Sequence, residues 1–255
     1  MQSTVAVCQL ALEDLSVDAN LETVRNRVTA LSSDVDLAVF PEHTLTGFVG
    51  DERIEAAALT RDSAPISELQ SLAEQRALAL VVGFIEAADH GFYNATAYVG
   101  PTGEITVYRK RHLWDSEREL LTPGDELVTV ETPLGTAGLL TCYDLNFVDD
   151  SAALAREDIS ALLVAGAWPG AYSDNWRLLL RARALDGVRW GIGANRTGQR
   201  DMPDSEQVTY AGRSLVARPD GGIHQALERQ EQTLVTELDR AVLESQRDLI
   251  GVFSE

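Results

Sequence analysis

Lysine is almost absent from this sequence: twenty of its 21 basic residues are arginine, and only Lys110 carries an ammonium. Lysine is normally among the commonest residues, so the shortage reflects a genome-wide or salt-adapted bias. A position that keeps a compact point charge where every other basic site took a planar fork is therefore informative. Cysteine is scarce too. Cys8 and Cys142 cannot build a disulfide scaffold, which suits a reducing compartment and sets the expected location as cytoplasmic. Long hydrophobic runs are missing: apolar stretches such as 79–85 are strand-sized, and the first residues lack the basic and apolar regions of a secretory signal. Both points argue against a membrane span or export. Basic charge is in deficit, with 40 acidic residues against 21 and a net charge of -19 spread along the chain. That field repels phosphate backbones and anionic lipid, so neither nucleic acid nor a membrane is an expected partner.

What is present is an ordinary globular composition, 45% hydrophobic over 255 residues, enough for one large domain over 1–255. β-rich runs fall at 4–9, 37–40, 78–85, 95–99, 105–108, 127–131, 136–141, 161–164, 191–194, 210–216 and 233–238. Helical periodicity is clearest at 20–31, 66–77, 151–156 and 175–186. Asp18 and Ser173 are expected N-caps, and Pro65 suits a first helical turn. Pro219-Asp220-Gly221-Gly222 predicts a turn between the last two strands. Strands joined partly through helices and partly by tight turns fit an α/β fold of four layers, an α-β-β-α sandwich, better than one doubly wound sheet.

Familiar chemistries are missing. A P-loop needs Gly-Lys, and the lone lysine follows Arg109. Gly191-Ile192-Gly193 starts like a dinucleotide fingerprint but has Arg196 where the third glycine belongs. No Gly-x-Ser-x-Gly elbow occurs, and His43, His90, His112 and His224 lack metal-ligand spacing, so neither metal nor cofactor is expected. Three segments remain, each ending a predicted strand with a reactive group: Pro41-Glu42, Arg109-Lys110 and Thr141-Cys142. A thiol is the strongest nucleophile near neutrality once ionised, a carboxylate can take its proton, and an ammonium can hold an oxyanion.

These residues resemble the nitrilase superfamily of carbon-nitrogen hydrolases, and the similarity runs along nearly the whole chain. Pro41-Glu42 with Thr46-Gly47-Phe48 is similar to the family's glutamate motif, Tyr108-Arg109-Lys110-Arg111-His112-Leu113 to its lysine motif, and Cys142-Tyr143-Asp144 to its nucleophile motif. Glu117, before Thr122-Pro123-Gly124, matches a second glutamate. Ala167-Trp168-Pro169, Trp176, Asn195-Arg196-Thr197-Gly198 and Gly212-Arg213-Ser214 follow in family order. The resemblance implies the α-β-β-α sandwich, catalysis by Glu42, Lys110, Cys142 and Glu117, and substrate contacts from Tyr143, Asn146 and Trp168. It implies hydrolysis of a small amide through a thioester, without cofactor, by a homodimer or larger assembly. Nitriles and N-carbamoyl compounds are alternative substrates for the same residues, and a non-catalytic binding protein is the alternative outside enzymology. Two departures stand out: Asn146 replaces an arginine common in several amidase branches, and Leu185-Asp186-Gly187 replaces a usual Glu-Asn. Asn146 predicts a preference for neutral amides, since it removes a fixed cation for a substrate carboxylate.

Each residue has a plainer alternative taken singly. Cys8 reads as a buried small hydrophobe, Lys110 as part of an exposed basic edge, and Glu117 as one of a solvated group with Asp115, Arg118 and Glu119. His112 reads as a structural hydrogen-bonding residue, and Trp168, at a strand end, as a pocket wall.

Overall fold

Side chains on successive strand residues point to opposite faces, and the first strand, β1 (Gln2–Gln9), uses both. Val5 and Val7 join one buried cluster and Ala6 and Cys8 another, so this strand is covered on both sides. The computed structural model describes residues 2–200 and 202–250. Within them β2 (Leu37–Val39), β3 (Ala79–Ala88), β4 (Gly91–Val99) and β5 (Ile105–Arg109) extend β1 into a sheet that β14 (Gln232–Asp239) closes on the other side. The second sheet runs β13 (Ile223–Ala226), β12 (Leu215–Ala217), β9 (Trp190–Asn195), β8 (Ala161–Gly166), β7 (Gly135–Thr141) and β6 (Val128–Thr132). Each sheet has three parallel strands at its centre, β1-β2-β3 and β7-β8-β9, and antiparallel pairs outside.

The sheets pack face to face through Val5, Val7, Val39 and Val81 against Leu139, Leu163 and their neighbours. Helices α1 (Val17–Ala30) and α3 (Ala64–Arg76) cover the outer face of the first sheet with Val24, Val28, Ile66 and Leu69. Helices α5 (Val148–Arg156) and α6 (Ser173–Asp186) cover the second with Leu154, Trp176 and Leu180. The result is the expected four-layer α-β-β-α sandwich. Short helices α2 (Ile54–Ala57) and α4 (Glu117–Leu120), a hairpin of β10 (Gln199–Arg200) and β11 (Val208–Thr209), and α7 (Arg240–Ile250) complete the order. No helix among the described residues is long and apolar enough to cross a membrane.

Several local expectations need correction. Asp18 lies inside the first turn of α1, whose N-cap is Ser16, and Ser173 is the first residue of α6 rather than its cap. Pro65 does occupy the first turn of α3. The strand expected at 210–216 is only Leu215–Ala217, because Gly212 and Arg213 both take left-handed φ of 57°. The Pro219–Gly222 turn links β12 to β13, with β14 still to follow.

Candidate active site

Topology brings three strand ends to one edge. Strand β5 is antiparallel to β4, which is antiparallel to β3, so β5 runs in the direction of β2 and β3 and ends on their side. In the second sheet β7 and β8 are parallel, and the backbone N–H of Glu42 donates to the carbonyl of Gly166, at the end of β8. Thr96 on β4 and Thr141 at the end of β7 share a buried hydrogen bond of 2.9 Å across the sandwich. Glu42 after β2, Lys110 after β5 and Cys142 after β7 thus meet at one cavity of about 860 Å³, which Glu117 and Trp168 also line.

Lys110 is the hub. Its Nζ donates to Glu42 Oε1 and to Glu117 Oε2, both at 2.8 Å, and all three residues are at most 4% exposed. The exposed-edge reading of Lys110 and the solvated-cluster reading of Glu117 are therefore overturned. Burial alone would depress the ammonium, but Glu117 and Glu42 reverse this and hold it well above its usual range. Burial would likewise raise the Glu117 carboxyl, and Lys110 with His43 brings it down to about 2 instead. Glu117 Oε2 also accepts the backbone N–H of Trp114, which fixes the head of α4.

Cys142 opens a single 3-10 turn, Cys142–Asn146, with a left-handed φ of 51°. That conformation is strained for a side chain with a Cβ, and strain of this kind gathers at functional sites. Thr141 and Asp144 hold the turn as a reciprocal capping box. Burial raises the thiol well above its usual range, the charge of Glu42 raises it further, and Lys110 opposes both. At neutral pH the thiol therefore keeps its proton.

The other expected residues fall around the same cavity. Tyr143 and Asn146 line it, and the exposed Asn146 side chain donates to the carbonyl of Tyr143. The backbone N–H of Trp168 donates to Asn195 Oδ1 at 2.9 Å, and the Asn195 amide donates to the carbonyl of Gly212, so the later motifs brace this wall. His112 is structural as expected: it shares a hydrogen bond with Asp150 and stacks on Phe147. Cys8 lies buried in the layer between sheet and helices, away from the cavity lining.

Sequence reasoning missed four features. Asn94 on β4 donates one N–H to Glu42 Oε1 at 2.7 Å and one to Glu117 Oε1 at 2.6 Å. Its only signal was a lone amide inside the apolar alternation of its strand. His43 was set aside with the other histidines, yet its Nε2 lies 3.8 Å from Glu42 Oε1 and 3.7 Å from Glu117 Oε1. Arg200 and Arg229 also line the cavity, along with Asp115 and Glu206, and Arg200 donates to the carbonyls of Glu206 and Phe48.

Glu42, His43 and Glu117 offer ligand atoms within 4.8 Å of one another, but Lys110 Nζ already takes the place between the carboxylates that a cation would need. A second such group, His112, Asp144 and Asp150, is occupied by Tyr108, Arg111 and backbone N–H donors.

A family model for carbon-nitrogen hydrolases matches residues 4–248. An (R)-stereoselective amidase of Pseudomonas is 33% identical over 243 residues, 95% of this chain and 87% of the relative. An omega-amidase of Escherichia coli is 32% identical over 217 residues, 84% of this chain and 81% of the relative. A solved nitrilase-superfamily structure from Saccharomyces cerevisiae superposes with a TM-score of 0.89 at 26% identity, covering 99% of this chain and 95% of that one. With the match spanning both sheets and every strand end at the cavity, the chain belongs to the carbon-nitrogen hydrolase family.

Proposed function

We propose that the protein is a cysteine-dependent amidase in which Glu42, Lys110, Cys142 and Glu117 act on a small amide and release ammonia. The observation that carries this reading is the contact set around Lys110: one ammonium bonded at 2.8 Å to each of two carboxylates, in the cavity that the Cys142 thiol also lines. The names of the two amidase relatives support the substrate class.

In this mechanism Glu42 accepts the thiol proton as Cys142 sulfur bonds to the amide carbon. A thiol kept protonated at rest needs such a base, which makes proton transfer part of the attack. The carbonyl π electrons move onto oxygen, and the Lys110 ammonium and the backbone N–H of Tyr143 stabilise the oxyanion. Glu42 then gives its proton to the nitrogen, the C–N bond breaks, and ammonia leaves a thioester. A water molecule loses a proton to Glu42 and attacks the thioester carbon; collapse expels the thiolate, which recovers its proton from Glu42. The sum is amide plus water to acid plus ammonia. Glu117 orients Lys110 and the substrate nitrogen, and Asn146 and Trp168 contribute to the walls.

Ammonia release from matched amides, nitriles and N-carbamoyl compounds tests this, with Cys142→Ala as control. Release from the amides that disappears in the variant supports the proposal; release confined to nitriles or carbamoyl compounds gives the alternative substrate class, and none from any of them favours a binding protein. Assembly as a homodimer belongs to the same proposal, supported by exposed Val148, Leu178 and Leu185 on the α5 and α6 layer and testable by light scattering.

A further inference from the structure

We propose that His43 is a positioning residue of this site: its Nε2–H, set between Glu42 Oε1 and Glu117 Oε1, holds both carboxylates turned toward Lys110. The inference rests on the amidase reading above and adds a residue to it. It begins with a proton count. The Asn94 amide has two N–H protons, and both are committed, one to Glu42 at 2.7 Å and one to Glu117 at 2.6 Å. His43 Nε2 lies 3.4 Å from that same amide nitrogen, which has no third proton to donate to it. An unprotonated Nε2 would therefore face two carboxylate oxygens and a spent donor, lone pair against lone pair. A protonated Nε2 instead points one N–H at two anionic acceptors, at 3.7 and 3.8 Å.

The ring is held for this task. His43 is buried, stacks on Phe48 at 4.9 Å with 14° between the planes, and takes a left-handed φ of 56° that turns its side chain back beside Glu42. Nδ1 has no hydrogen-bond partner among the described residues, so the ring's polar contacts fall on Nε2. Charge explains the need. The buried group holds two carboxylates and one ammonium, and an extra donor offsets part of the surplus. After burial and Lys110, His43 is the next contributor to the state of Glu117, and it favours ionisation. The charged and titratable groups that line its cavity are Glu42, Lys110, Asp115, Glu117, Cys142, Tyr143, Tyr172, Arg200, Glu206, Tyr210 and Arg229.

The test compares His43→Phe, which keeps a flat ring against Phe48 but has no N–H, with His43→Gln, whose amide nitrogen reaches about as far as Nε2 and can donate. Both variants carry the same left-handed backbone, so its strain is common to them. Cys142→Ala is assayed alongside, on the best amide of the panel. For His43→Phe the expected result is a kcat lower by on the order of ten-fold or more, with KM little changed and the acid limb of the pH–rate profile moved to higher pH. His43→Gln should recover most of the lost kcat and return the limb toward its wild-type position. Wild-type kcat and pH profile in His43→Phe overturns the proposal. So does a His43→Gln variant as impaired as His43→Phe at an unchanged Tm, because the ring and not the N–H would then matter. If His43→Phe does not fold, His43→Gln decides alone: a displaced acid limb overturns the proposal, and a wild-type limb supports it. Activity that survives in Cys142→Ala defeats the amidase mechanism instead, which keeps the two failures apart.

Discussion

The phenol of Tyr108 donates to Asp144 Oδ2 at 2.7 Å and so ties the strand that leads into Lys110 to the turn that begins with Cys142. Asp144 also accepts the backbone N–H groups of Thr141 and His112, both at 3.0 Å. One buried carboxylate thus sets the spacing between the ammonium and the thiol. Nothing in the isolated Cys142-Tyr143-Asp144 run announces that third role.

The Tyr108 contact predicts a pH-dependent loss of stability. Burial pushes the Asp144 carboxyl from 3.8 up to about 6, although Lys110, Tyr108 and two backbone donors pull it down. A carboxyl raised on folding contributes stability at low pH that is lost as pH climbs through this window. Above it the group is ionised and depends on its donors. Tyr108→Phe should therefore cost about 1.5–3 kcal/mol at pH 8, where a charged acceptor loses a donor, and about 1 kcal/mol at pH 5, where the acceptor is neutral. Urea unfolding at the two pH values checks this; an equal loss at both would show that Asp144 does not change charge between them.

Gly83 predicts a second effect. A Cβ at this position would lie 2.6 Å from His43 N, 2.7 Å from Pro41 O and 2.8 Å from Glu42 Cα, all backbone atoms that cannot swing aside. Gly83→Ala should destabilise the fold by about 1–3 kcal/mol and displace Glu42, so that kcat falls more than the loss of folded protein explains. A melt and a turnover assay on one preparation measure both, and wild-type values in both would mean that the segment yields freely.

The two thiols should differ in reactivity for reasons of register. Cys8 is fully buried in the layer between β1 and the helices, and burial pushes its thiol up to about 12. The Cys142 thiol is raised too, so what sets it apart is access: it lines the cavity, with the carboxylate of Glu42 on the same lining to take its proton. Brief iodoacetamide treatment of native protein should modify Cys142 with loss of turnover, while Cys8 reacts only after unfolding. Modification of Cys8 in the active, folded protein would contradict this placement.

The fold was legible where burial imposes a strict period. Runs at 78–85 and 161–164 are apolar on both faces because the parallel centre of each sheet is covered on both sides, and such runs stand out. The exposed strand β13 (Ile223–Ala226) has no apolar face to betray it, and Arg213 adopts a left-handed backbone inside what looks like a continuous strand. At the site, Glu42, Lys110 and Cys142 were visible because each ends an apolar run. Asn94 and His43 were not, because their meaning depends on a proton count among groups far apart in sequence. Glu117 lies between these cases: its neighbours Asp115, Arg118 and Glu119 imitate a solvent-facing helix start, and only the fold shows that its carboxylate turns inward.

The lone lysine yields the last prediction. Lys110 Nζ reaches two carboxylates at 2.8 Å from a buried position, and the same ammonium is the proposed oxyanion donor. A guanidinium at that place is longer and planar and presents its donors in a fixed fork, so it cannot keep both contacts without displacing a carboxylate. Lys110→Arg should therefore show two separable effects. Overpacking of a closed site should lower stability by about 1–3 kcal/mol, and loss of the placed oxyanion donor should lower kcat by on the order of 10² to 10³. Thermal melts give the first, and turnover per folded molecule gives the second. A lysine that served only to fill a charged gap would lose stability without a matching loss of rate. A near-wild-type kcat in the folded arginine variant would therefore remove Lys110 from the chemistry while leaving its structural role intact.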